Sequence, residues 1–210
     1  MKAGGETVVE LKKNPDGIWT MGDFSFHPVK KEHLKQIYDW RTSDRIASKM
    51  LTDHHITWEE HLAWYEKYSK YDPPVNFVVY YKEWPVGYFG ATLYDKETDT
   101  YRYGGDYIGD TEHAPVETGS YIGYFGNDYG YNVLGIDKGR TCVFEFNKRV
   151  LRFNKLFGAH IVDELTEYVE KDGKKQKLYY LEQTRDEWNA HKKDLLEYLQ
   201  ENVWLRRIKR

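Results

Sequence analysis

The sequence predicts a mixed α/β protein: one mostly antiparallel sheet flanked by helices, with its central helix shortened or missing. Three observations carry this. Two helical stretches open on Thr-x-x-Glu capping boxes, at Thr57–Glu60 and Thr184–Glu187. Two hairpins are legible, one turning at Lys82–Trp84 and the other at Asp172-Gly173. Between them, "GNDYGYNVLGIDKG" (126–139) carries too many glycines to read as a helix.

Each element follows in order. Residues 1–22 are polar and Gly-rich, with a short strand expected at Thr7–Leu11. "DGIWTMGDFSFHPVK" alternates apolar and polar residues, which predicts a strand ending near His27. Leu34, Ile37, Tyr38 and Arg41 keep helical phase, placing a helix over Lys31–Trp40 and a shorter one over Asp44–Met50. The Thr57-capped helix presents Trp58, Leu62 and Tyr65 on one face, and Pro73-Pro74 ends that region. Asn76–Tyr81 and Val86–Tyr94 form the first hairpin, and 100–117 reads as a loop or small hairpin. β-branched and aromatic content predicts strands at Tyr121–Phe125 and Thr141–Phe146. A helix over Lys148–Phe157 stops at Gly158, the closing hairpin follows, and a last helix covers Thr184–Glu201. An alternative makes Gly139–Phe153 the central helix; Thr141, Val143, Phe144 and Phe146 are poor helix formers and favour the strand.

Composition narrows the function classes. The 210 residues are 40% hydrophobic, enough for one core, and hold 19 Tyr, 7 Trp and 9 Phe. A net charge of −3 gives no bulk attraction to nucleic acid or an anionic membrane. The single cysteine, Cys142, excludes a disulfide framework or a Cys-rich zinc site, and it fits a reducing, cytoplasmic setting. No apolar run suits a signal peptide or a membrane span.

"YDWRTSDRIASKMLTDHHITWEEHLAWYEKY", "NFVVYYKEWPVGYFGATLY" and Asn147, Val150, Phe153 and Gly158 resemble, in this order, the GNAT acyltransferases. The first stretch is closest to the members that acetylate amino sugars on nucleotide carriers. The resemblance covers roughly 21–190, which sets off an N-terminal extension (1–20) and a C-terminal helix end with a basic tail (191–210). It implies acetyl transfer from acetyl-CoA to a primary amine, and an acceptor site using Trp40, Arg41, His55 and His61. A base is implied at Glu117 or Tyr121, with strand amides of Ile122, Gly123, Tyr124 and Phe125 stabilising the oxyanion.

Two departures accompany it. The family holds the CoA diphosphate on a loop patterned Arg/Gln-x-x-Gly-x-Gly/Ala that opens a helix. Here a shortened cradle would draw on Gly126, Gly130, Lys138, Gly139 and Arg140, with Asn147 ending the next strand. Asn154 stands where many members carry a Tyr acid, and an amide cannot give that proton. These departures support an alternative, a non-catalytic GNAT-like binding or assembly module such as a phage virion protein. The basic tail "WLRRIKR" would suit a protein partner that holds the termini. His54, His55 and His61 lack a metal-ligand spacing, so no metal is expected.

Overall fold

A computed structural model describes residues 10–95, 100–103 and 105–201, with backbone alone at 92–95 and 100–103. The strand expected at Thr7–Leu11 and the basic tail lie largely or wholly outside the described residues. Short strands β1 (Lys12–Lys13) and β2 (Trp19–Met21) lead into β3 (Phe24–Pro28). A 3-10 turn at Lys31–His33 opens α1 (Leu34–Thr42), followed by α2 (Asp44–Ala47) and α3 (Trp58–Tyr68). The first hairpin is β4 (Asn76–Tyr81) and β5 (Trp84–Asp95). Next come β6 (Thr100–Tyr103), β7 (Tyr107–Ile108) and α4 (Thr118–Asn132). The C-terminal part runs β8 (Lys138–Phe144), α5 (Lys148–Leu156), β9 (His160–Ile161), β10 (Glu167–Lys171), β11 (Lys174–Thr184) and α6 (Arg185–Leu199).

The sheet order is β1-β2-β3-β4-β5-β6-β8-β11-β10, with β7 on β5 and β9 on β11. Among the described pairs only β6–β8 is parallel, joined at Tyr101↔Gly139 and Arg102↔Arg140. Past those residues the strands part. Among the described residues β8 continues against β11, while β7 pairs with β5. The two neighbouring parallel strands therefore diverge toward their C-terminal ends.

Alternation along the strands sorts side chains to two faces. Phe24, Phe26, Phe77, Val79 and Phe89 face α4 and α6, where Phe125 and Trp188 are fully buried. Val78 and Tyr88 face the other way, onto Ile37 and Trp40 of α1 and Ile46 of α2. A smaller core joins Val143 and Leu181 to Leu151 of α5. Both capping boxes form: Thr57 accepts from the Glu60 N–H, and Thr184 from that of Glu187. Gly158 sits at φ +94°, as its place after α5 requires, and a Cβ there would come within 2.6 Å of the Gln183 amide.

The central helix is where structure and sequence expectation differ. Tyr121–Phe125 is not a strand. It lies inside α4, a 15-residue helix, so the chain keeps its central helix and the crossover between the parallel strands is helical. α4 is buried nearly all round, so tertiary packing overrides the poor propensity of its Gly, Tyr and Phe residues. Gly123 meets Phe153 and Gly126 meets Phe89, each within 2.6 Å of where a Cβ would stand, so neither position admits a side chain.

One long-range contact ties the ends of the fold together. Lys171, only 5% exposed at the tip of the closing hairpin, donates to the Thr52 carbonyl at 2.9 Å. It also bridges Asp53 at 3.2 Å, and the Asp172 N–H donates to the same carboxylate.

Candidate active site

Between β6 and β7 the chain breaks from strand geometry at Gly105 (φ +103°) and Asp106. The Asp106 Oδ1 accepts the Gly90 N–H of β5 at 3.2 Å. Asp106 is exposed to solvent, with protein atoms crowded around its carboxyl. Desolvation pushes its carboxyl up to about 7 against the opposing pull of the Gly90 N–H, and access to water limits how far that rise goes.

Around Asp106 the sheet face is aromatic. The Tyr88 and Tyr107 rings stack at 5.2 Å, and Trp64 of α3 meets Tyr88 edge-on at 6.0 Å. The Tyr88 hydroxyl donates to Asn76 Oδ1, and that of Tyr107 to the Ile37 carbonyl at 3.3 Å. Burial drives both phenols well above their ordinary range, so they remain neutral donors. Burial also lowers the Arg41 pKa, while Tyr107 and Tyr88 act on it in the opposite direction. Two glycines make room: a Cβ at Gly90 would strike the Tyr88 hydroxyl, and one at Gly109 the Trp40 ring. Beyond Trp40 lies an open cleft of about 460 Å³, bordered by Asp39, Arg45, Gly109, Asp110 and Glu112. The Arg45 guanidinium is engaged by the Ile108 and Gly109 carbonyls at 2.9 and 2.7 Å.

Trp40 and Arg41 thus come together at this face with residues the sequence did not single out: Asp106, Tyr88 and Tyr107. Asp106 lies in "YGGDYIGD", and its signal was a carboxylate directly after a Gly-Gly break between two aromatic strands. His61 is buried instead, its Nε2 against the Leu34 carbonyl at 3.0 Å and its ring stacked on Trp64. Burial lowers its pKa. His55 is exposed on the α2–α3 connection.

The remaining expected residues are dispersed. Glu117 is the N-cap of α4, buried at 5% exposure. Tyr121 stacks on Phe24 at 4.1 Å, in the core of the opposite face. Ile122, Gly123, Tyr124 and Phe125 are helical, so their amides are not strand donors for an oxyanion; Gly126 and Gly130 share that helix. Lys138 and Arg140 flank Gly139 in β8, and both side chains pair with Glu182 of β11. Asn147 caps α5, where the Asn154 amide donates back to the Val150 carbonyl at 2.9 Å.

The residues that open α4 do not fit the diphosphate of CoA. With the helix starting at Thr118, the pattern Arg/Gln-x-x-Gly-x-Gly/Ala falls on Ala114, Glu117 and Gly119. The arginine or glutamine is an alanine, and the first glycine is a buried glutamate. Pro115 has no N–H to offer. The Thr118 N–H turns back to the Pro115 carbonyl, and those of Ser120 and Tyr121 to the Glu117 carbonyl. Among the described residues no group of three or more His, Cys, Asp or Glu could hold a metal, and no helix is long and apolar enough to cross a membrane.

No family model and no curated protein sequence matches the chain. Solved structures do. A GCN5-related N-acetyltransferase from Brucella melitensis is 17% identical at a TM-score of 0.67, over 92% of this chain and 90% of that one. The spermidine N-acetyltransferase from Vibrio cholerae, in complex with CoA and spermine, is 15% identical at a TM-score of 0.70, over 80% and 99%. FdhC, a nucleotide-linked sugar GNAT in its apo form, is 15% identical at a TM-score of 0.62, over 82% and 92%. Identities this low speak to architecture alone: the chain has the fold of the GNAT acetyltransferases.

Proposed function

We propose that the protein is an N-acyltransferase that moves an acetyl group from a thioester to a primary amine, with an amino sugar as the acceptor its N-terminal sequence favours. The observation that carries this reading is the placement of Asp106: an exposed carboxylate at the strand break between β6 and β7, accepting the Gly90 N–H beside the stacked Tyr88 and Tyr107 rings, with its carboxyl pushed up to about 7. A base with that pKa can take a proton near neutrality. The amine nitrogen attacks the acyl carbon, its proton passes to Asp106, and the C–S bond breaks. The departing thiolate takes up a proton from water. Tyr88 and Tyr107 furnish an apolar wall, and the acidic cleft bordered by Asp39, Asp110 and Glu112 attracts a cationic substrate. The name of one fold neighbour says that it is a spermidine N-acetyltransferase and that of another that it is a nucleotide-linked sugar GNAT, so both acceptor types belong in the assay.

The misfit at the opening of α4 favours a second reading, a GNAT-fold module that binds an amine without acylating it. Thiol release separates the two. Incubated with an acetyl thioester and either a nucleotide-linked amino sugar or spermidine, the protein is expected to release thiol, and Asp106→Asn to slow this by about 100-fold or more. Amine binding with no thiol release from any pair overturns the transferase reading.

A further inference from the structure

The connection from β7 to α4, Gly109–Glu117, carries Asp110, Glu112 and Glu117 and neither Lys nor Arg. Its one other titratable group, His113, donates from Nδ1 to Asp110 Oδ2 (2.7 Å) and stacks on Trp84. The Glu112 and His113 N–H groups both donate to Asp110 Oδ1. Among the described side chains, Arg45 is engaged by two carbonyls and Arg140 by Glu182. A phosphate cradle needs convergent backbone N–H groups and a field that favours negative charge. This segment presents carboxylates, a proline, and Gly109, Asp110, Glu112 and His113 amides that are already taken by protein acceptors. At the same time the acceptor face keeps its base and its aromatic wall.

We infer that the diphosphate seat of the fold is closed in this chain by Ala114, Pro115 and Glu117, and that its donor is an acyl thioester recognised without a nucleotide diphosphate. The inference rests on the transferase reading for the word donor, but the closure itself is a property of the loop and is tested by binding.

Titration calorimetry of the intact protein with adenosine 3′-phosphate 5′-diphosphate, which carries the diphosphate, and with CoA tests the closure directly. Neither is expected to give a saturable heat at millimolar concentration. Saturable binding of either one with a Kd below about 100 µM overturns the closure. The variant A114R/P115G/E117G, checked for a cooperative melt, is expected to gain CoA binding. A folded variant that gains none shows that these three side chains are not what closes the seat, and it overturns the assignment. Kinetics address the donor: acetyl-CoA and S-acetyl-N-acetylcysteamine, which lacks the nucleotide, are expected to give kcat/KM values within about threefold. An advantage of about a hundredfold or more for acetyl-CoA overturns the donor class. If neither thioester is turned over, the transferase reading fails, and the calorimetry still decides the closure.

Discussion

The two ends of strand β7 differ in kind. At its start, Asp106, Tyr88, Tyr107 and Arg41 assemble a polar group at an aromatic wall, and Gly90 and Gly109 are kept free of a Cβ to let Tyr88 and Trp40 lie where they do. At its end, the segment that should greet an anion is acidic and closed on itself. On the proposed reading, the acceptor side is held while the donor side changes. The helix that would carry the donor meanwhile buries more of its residues than any other described helix. α4 is buried for its own sake, as the hub of the core, and not for the sake of a ligand.

That contrast can be broken at several points. The largest effect is expected at Phe125, which is fully buried and stacks on Phe26 at 3.8 Å. Phe125→Ala is expected to cost about 3–5 kcal/mol in chemical denaturation, while amine affinity, measured in the protein still folded, stays within about twofold. A large loss of amine binding would show that the two faces are coupled. Next comes Asp106→Asn, expected to lower kcat by about 100-fold and to remove the rise of kcat/KM as pH climbs through about 7. The same substitution has a stability signature. A carboxyl whose folded pKa is raised stabilises the fold below its unfolded pKa, and that contribution is lost as pH rises through the folded value. Asp106→Asn is therefore expected to raise Tm at pH 8 relative to the native protein and to change it little at pH 4. An equal change at both values would remove the pKa assignment.

Smaller effects sharpen the comparison without touching either site. Gly158→Val forces a β-branched residue to φ +94° and into the Gln183 amide, and is expected to destabilise by about 1–2 kcal/mol or more. Thr57→Ala removes the acceptor for the Glu60 N–H at the start of α3 and is expected to cost about 1 kcal/mol. Because α3 supplies Trp64 to the Tyr88 wall, a shift in amine Kd with that modest loss would mark α3 as part of the acceptor site.

Local signals explain what was legible. Capping boxes at Thr57 and Thr184, the Asp172-Gly173 turn with φ of 52° and 68°, and the Gly158 stop are all written within a few residues, and all form as expected. Trp40 and Arg41 belong to such a stretch as well. α4 was not legible because its residue types point to a strand, and only burial against the sheet, α6 and the α5 region makes them helical. A signal was present nonetheless: Gly119, Gly123, Gly126 and Gly130 recur at spacings of four, three and four, the period of one helix face. Lys138 and Arg140 looked like phosphate ligands because Glu182, 42 residues beyond Arg140, is brought beside them only by the β8–β11 register. Asp106 was passed over because its raised pKa comes from the surrounding fold and not from its neighbours in the chain.

The Lys171 clasp has a consequence for how the chain is made. Thr52 and Asp53 leave the ribosome early, while Lys171 follows 118 residues after Asp53, beyond nearly every strand of the sheet. The connection between α2 and α3, held at its far end by the Tyr38 hydroxyl on the Ile56 carbonyl, lacks its Lys171 clasp until the closing hairpin has been synthesised and has turned at Asp172-Gly173. A contact so distant in sequence forms late and slowly, since the chain between must be ordered before it can close. Nascent chains halted before the hairpin are therefore expected to carry a folded α1–β4–β5 face with an open, protease-sensitive 48–56 segment, which becomes protected only when residue 171 has emerged.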